Sequence, residues 1–187
     1  FSIALLPLLG IGGMQLYKAE VPGPVIEKIK PRIAETARSL WKVYVFLSLA
    51  EMLLLMIAGM SAYDAACHTF TTMATGGFSP YSKSVEAFSN PAVEIIIICF
   101  MLAAGMNFAQ HYRILHGNIK PVARDAEFRF YLFFLAAATL VLFLSLQSSA
   151  PDRPVADTLR TTAFQATSIM TTTGYSTTNF DTWPVFS

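Results

Sequence analysis

Charge is what this 187-residue sequence has least of. Asp, Glu, Lys and Arg make up 13% of it, and hydrophobic residues 54%; soluble domains carry about 25% charged residues. Net charge is +1, so no basic face for nucleic acid is expected. Two cysteines, Cys67 and Cys99, are too few for a disulfide framework and are expected as free thiols in packed surroundings. The three histidines, His68, His111 and His116, show no metal-ligand spacing. No G-x-x-x-x-G-K-[ST] occurs, which excludes the common nucleotide loop. No Ser/His/Asp set or carboxylate pair emerges, so neither covalent chemistry nor an organic cofactor is expected. What remains is a mean hydropathy of +0.50 in long runs, which puts the chain in the membrane class.

Three runs are long enough, with their flanks, to cross about 30 Å of hydrocarbon. They are Val43–Met60, Ala92–Phe108 extending to Tyr112, and Phe130–Leu146. Phe1–Gly13 reads as the end of a further helix, closed by Gly10, Gly12 and Gly13. It lacks the basic leader and cleavage pattern of a signal peptide, and the chain reads as an internal fragment. Between the runs lie two basic connectors, the first with a short amphipathic helix expected around Val25–Lys30. Together they hold ten of the 13 Lys and Arg residues. The positive-inside tendency puts both connectors in the cytoplasm.

Two short segments stand apart from this scaffold: His68–Ser79, HTFTTMATGGFS, and Gln165–Ser176, QATSIMTTTGYS. They align at an offset of 97 residues. Ala66 meets Ala163, Met73 meets Met170, Thr75 meets Thr172, Gly77 meets Gly174, Phe78 meets Tyr175 and Ser79 meets Ser176. Each follows an apolar run and a short helix, the first N-capped by Asp64 and the second by Asp157. Recurrence of this order is the mark of internal duplication. Both segments read as re-entrant pore loops near the outer face.

The residue types suit an ion filter. Non-helical backbone inside a membrane needs protein or a water-filled cavity around it, and the many Thr and Ser hydroxyls can satisfy its polar groups. Extended backbone can turn carbonyl oxygens toward an ion in place of its hydration shell. Thr75, Gly76, Gly77 and Phe78, with Thr172, Thr173, Gly174 and Tyr175, are the expected filter. The carbonyls of Thr75, Gly76, Thr172 and Thr173 are expected to hold K⁺. Gly77 and Gly174 leave room at a narrow axis, while Phe78 and Tyr175 brace the loops from behind. Short helices ending at the filter favour a cation through their dipoles.

Three further residues are candidates. Glu51 interrupts an apolar run, and an intramembrane acid is either structurally paired or part of an ion path or gate. His68 and Gln165 occupy equivalent pore-helix positions and can anchor the pore helices by hydrogen bonds. Glu94 is expected at the membrane interface. Asp64, Asp157 and Asp181 flank the filters, where they cap helices or concentrate cations.

Three strings also carry a family resemblance: LPLLGIGGMQLYKAEVPGP at Leu6–Pro24, TTMATGGFSPY at Thr71–Tyr81, and TSIMTTTGYSTTNFDTWP at Thr167–Pro184. The chain resembles the membrane subunits of bacterial Trk-type potassium uptake systems, in the Trk/Ktr/HKT cation transporter superfamily, and most of all the TrkH type. The resemblance implies an all-α membrane protein of helix–pore-loop–helix repeats in a pseudo-fourfold arrangement, with Gly77 and Gly174 as two of four filter glycines. Residues 1–13 would end the second helix of repeat 1, and 14–40 would be a cytoplasmic connector. Residues 41–112 would be repeat 2, 113–126 a second connector, and 127–187 the start of repeat 3 without its final helix. The implied function is K⁺ uptake, passive or gradient-coupled (a symport), across the bacterial inner membrane. The implied partners are a second copy, as homodimer, and a TrkA-like cytoplasmic nucleotide-binding regulatory subunit. The alternatives are an alternating-access transporter of another cation or solute, and a non-conducting structural subunit.

Overall fold

The computed structural model describes residues 33–115, 119–178 and 183. The expectations for 1–13, for most of the 14–40 connector including its short helix, and for Asp181 lie outside these residues. Every described element is helical: α1 Ile33–Ile57, α2 Ala62–Met73, a 3₁₀ turn Ser84–Phe88, α3 Pro91–Ala104, α4 Phe108–Leu115, α5 Ile119–Arg124, α6 Ala126–Ser149 and α7 Val155–Met170. The described parts of 47–105 and 124–187 form one compact unit, which holds both motifs. The described parts of 33–46 and 106–123, with α4 and α5, belong to a second.

Among the described residues, two stretches are long and apolar enough to cross a bilayer, Arg38–Ile57 in α1 and Ala126–Ser149 as the whole of α6. On α6, Phe130, Phe133, Phe134, Leu140, Val141 and Leu144 are all exposed. A helix apolar all round with little of it covered is suited to lipid or to other membrane helices rather than water. The run expected to continue from Ala92 to Tyr112 is broken. Helix α3 stops at Ala104 with Gly105 as its cap, and α4 begins only at Phe108. The close approach of other chain at Gly105 fits this. A side chain there would meet Thr171 Cγ2 and the Tyr131 hydroxyl, each at 2.9 Å.

The caps correct two expectations. Ser61, not Asp64, is the N-cap of α2. Its Oγ accepts from the Asp64 amide at 3.1 Å and donates to the Asp64 carboxylate at 2.7 Å, so Asp64 is the acidic member of a capping pair. The N-cap of α7 is Pro154, with no side-chain cap, and Asp157 lies in the first turn. There Asp157 takes a hydrogen bond from Arg160 Nη1 at 2.9 Å. Asn90 caps α3, accepting from the Ala92 amide at 3.0 Å, and its Nδ2 donates to Ala58 O at 2.8 Å. One side chain thus starts α3 and ties it to the end of α1.

Within the larger unit α7 packs against both α6 and α3, and α3 packs against α2. The core is Leu55, Met60, Ala65, Val85, Val93, Ile97, Met101, Phe164 and Tyr175. It gathers residues from α1, α2, α3 and α7 around one point. Glu94 is buried in α3 and accepts from Arg160 Nε of α7 at 2.8 Å. Partial burial opposes the Arg160 charge, but Glu94 and Asp157 outweigh it and hold the guanidinium firmly ionised. The pair joins the two motif-bearing halves of the unit. Arg160→Ala should lower stability by about 1 kcal/mol after allowance for solvent screening. Thermal denaturation in detergent of R160A, E94Q and the double variant measures it, and a non-additive double variant is the expected outcome.

Candidate functional site

The two motifs begin where α2 and α7 end, and both helices end the same way. After α2, the amide of Ala74 donates to Phe70 O, Thr75 to Thr72 O at 2.9 Å, and Gly76 and Gly77 both to Thr71 O at 2.7 and 3.3 Å. After α7, Thr171 donates to Thr167 O, Thr172 to Ile169 O at 3.1 Å, and Thr173 and Gly174 both to Ser168 O at 2.9 and 3.3 Å. Each bond has its counterpart 97 residues on. The pattern is a Schellman closure, which needs a left-handed residue just past the cap, usually glycine. Helix α1 uses glycine there, Gly59 at φ +101°. The two motif helices use threonine, Thr75 at φ +51° and Thr172 at φ +58°. A β-branched residue in this region costs on the order of 1–3 kcal/mol, and such strain collects at functional sites.

This closure orients the peptides. Successive amides point back into the helix end. In a trans peptide the carbonyl points opposite to the amide of the same plane. The carbonyls of Thr75 and Gly76 share planes with the amides of Gly76 and Gly77, so they turn away from α2. Those of Thr172 and Thr173 turn away from α7 for the same reason. None of the four accepts a hydrogen bond among the described residues. These are the same four carbonyls that the sequence singles out.

The two loops meet. A side chain on Gly77, at φ +61°, would overlap the Thr173 carbonyl and lie 3.1 Å from the carbonyl carbon of Gly174. Only glycine lets the backbones come this close. Gly174, at φ +85°, has open space where its side chain would be, so there it is the backbone conformation that favours glycine.

A second matched pair holds each loop from behind. The Thr71 hydroxyl lies 2.9 Å from Phe78 O, and the Ser168 hydroxyl donates to Tyr175 O at 2.8 Å. The aromatic rings then diverge. Phe78 is 76% exposed and Tyr175 only 1%. The Tyr175 ring stacks on His68 with centroids 5.7 Å apart. Its hydroxyl lies 2.5 Å from Thr71 Oγ1 and donates to His68 O at 3.0 Å. Tyr175 therefore fastens the second loop to α2. Further ties run from the Ser176 amide to Ser84 Oγ and from the Glu86 amide to Ser176 O, each 3.3 Å.

His68 and Gln165 do matching work with different chemistry. His68 Nδ1–H donates to Asp64 O at 2.8 Å, which leaves Nε2 to accept from the Ser79 hydroxyl at 3.1 Å. Gln165 Nε2 donates to Thr177 Oγ1 at 3.3 Å. Each side chain ties its pore helix to the chain leaving the loop. Tyr81 donates to the Asp64 carboxylate at 3.2 Å, and that negative charge raises the Tyr81 phenol above its ordinary value. Sequence reasoning passed over Tyr81 and the pairing of Glu94 with Arg160, because the partners lie 17 and 66 residues apart. Glu51 is buried in α1 beside Thr72.

Three variants test this geometry. Thr75→Gly and Thr172→Gly should each raise thermal stability by about 1 kcal/mol, since glycine relieves the left-handed strain. Tyr175→Phe should lower it by about 1 kcal/mol through the lost hydroxyl bonds. Denaturation midpoints of the purified protein check both signs.

Comparison with known proteins bears on the same residues. A Trk system potassium uptake protein TrkH from Salmonella typhimurium is 44% identical over 192 residues, covering 99% of this chain and 39% of the relative. The Escherichia coli protein TrkG is 38% identical, with 98% and 38% covered. The chain thus spans well under half the length of the curated relatives it matches. The crystal structure of the potassium transporter TrkH from Vibrio parahaemolyticus superposes with a TM-score of 0.78 at 36% identity, covering 97% of this chain and 36% of that one. The helical fold described above is therefore that of a helical membrane transporter. The family model for TrkH, cation transport protein, matches residues 1–186, and the chain belongs to that family.

Proposed function

We propose that the protein to which this chain belongs moves K⁺ across the bacterial inner membrane through a filter of backbone carbonyls. Thr75, Gly76, Thr172 and Thr173 supply two walls of that filter, with Gly77 and Gly174 at its narrowest level. The observation that carries this reading is the pair of matched helix closures. They spend the loop amides on the helix ends and leave the four carbonyls free. A dehydrated cation needs such oxygens, and the carboxyl ends of α2 and α7 add a favourable field. The relatives are named potassium uptake proteins, which supports K⁺ as the transported ion.

In this reading residues 41–112 are one helix–pore-loop–helix repeat and 127–187 begin the next, in a pseudo-fourfold ring completed by the rest of the protein. Residues 1–13 close the preceding repeat, and 14–40 and 113–126 are cytoplasmic connectors. The working assembly is a homodimer with a TrkA-like nucleotide-binding subunit on the cytoplasmic side. The protein's own part is binding and orientation, with no covalent step.

Ion flux through the full-length protein in liposomes, comparing K⁺, Na⁺ and Rb⁺, tests this. Gly77→Ala should cut K⁺ flux at least tenfold, because its side chain would overlap the Thr173 carbonyl. Gly174→Ala should mainly weaken K⁺ over Na⁺ preference, because its strain is conformational. Wild-type flux and preference in both variants would reject the filter. Solute exchange through alternately open sides would favour a carrier, and no selective flux a structural subunit.

A further inference from the structure

Glu51 is fully buried in α1. It lies beside the Thr72 hydroxyl of α2. Neither carboxyl oxygen has a hydrogen-bond partner among the described residues. The reason lies in where the neighbouring hydrogens go. Thr72 donates its one hydroxyl hydrogen to His68 O at 2.7 Å. Tyr175 donates to the same carbonyl at 3.0 Å. The Thr72 hydroxyl therefore offers Glu51 lone pairs, not a proton. A carboxylate here would face those lone pairs with no donor and no cation among the described residues, which a buried charge does not tolerate. A neutral carboxylic acid has the one hydrogen that this site is missing.

Among the described residues, the other titratable groups around it supply no counter-charge. On α2, His68 is neutral, with one ring nitrogen donating to Asp64 O and the other accepting from Ser79. The Asp64 carboxylate is held by the hydroxyls of Ser61 and Tyr81. Cys67 is a free thiol. On α3, Glu94 is engaged by Arg160 of α7. The second loop contributes the Tyr175 phenol.

We propose that Glu51 is a positioning residue of the filter: as a neutral acid it donates to the Thr72 hydroxyl, braces the Thr72–His68–Tyr175 cluster behind both loops, and makes ion preference sensitive to alkaline pH. This rests on the filter reading above and adds a control that acts through the pore helix, not on the ion. The sign follows from the chemistry. Removing the proton turns the donor into a charge facing lone pairs, so bracing is present at neutral pH and lost on the alkaline side.

The test uses the full-length protein in liposomes. K⁺ over Na⁺ preference is followed from neutral to alkaline pH in wild type, Glu51→Gln and Glu51→Leu, with infrared difference spectra of wild type and E51Q. Wild type should lose preference several-fold as pH rises. E51Q, whose amide also donates, should rescue preference and remove its pH dependence. E51L, of similar bulk but no donor, should show several-fold lower preference at every pH. A protonated-carboxyl band should be present in wild type at neutral pH, vanish in alkali and be absent from E51Q. A missing band, an unchanged alkaline loss in E51Q, or wild-type preference in E51L would each overturn the proposal. The infrared comparison stands even if E51L does not fold. The Gly77 and Gly174 variants, run in parallel, separate the two readings. If they lose preference while E51L keeps it, only the Glu51 role fails. If they keep wild-type flux and preference, the filter fails as well.

Discussion

Where the amides of six residues point decides the chemistry of this chain. Thr75, Gly76 and Gly77 turn their N–H groups back onto the last carbonyls of α2, and Thr172, Thr173 and Gly174 do the same on α7. A peptide plane is rigid, so committing its amide commits its carbonyl to the other side. Two helix ends that would be routine in a soluble protein thereby present oxygens with no internal partner. In a membrane such groups are costly unless water or an ion meets them. The strain of two left-handed threonines points the same way. Gly59 shows that the chain uses glycine for this closure when only a turn is needed.

The equivalence of the two motifs holds for the backbone and breaks down in the side chains. The backbone bonds repeat at 97 residues, as does the hydroxyl contact from Thr71 and Ser168 to the carbonyl of the aromatic residue. Past that point the copies specialise. Tyr175 is buried against His68 and Thr71, while Phe78 has most of its ring uncovered. His68 bonds Ser79, and Gln165 bonds Thr177. Shared backbone geometry is what an ion site needs. Unlike side chains are what lets neighbouring copies lock to one another in a defined order. Arg160 and Glu94 make the same join farther from the loops.

Much of this was legible in the residues. Long apolar runs with few charges announce membrane helices, and α1 and α6 lie where the runs do. The Thr-x-Gly-aromatic-Ser strings picked out the four outward carbonyls, because a short helix before a glycine leaves few ways to close. Errors fell where a local signal had a competitor. Asp64 and Asp157 look like N-caps, but Ser61 takes one role and Arg160 draws the other acid into an ion pair. No local pattern pairs Glu94 with Arg160, which lies 66 residues on. The run through Gly105 looks continuous because hydropathy does not register the crowding by Thr171 and Tyr131.

The order of residues by itself determined the helical membrane class, the duplication and the identity of the loop residues, since each depends on composition, period or a string of neighbours. Tertiary structure decided that Gly77 lies against the Thr173 carbonyl, that Tyr175 and not Phe78 is buried, and that Glu51 ends beside hydroxyls already spent elsewhere. Those outcomes depend on which groups far apart in the chain compete for one small space and one hydrogen, and no local pattern records that competition.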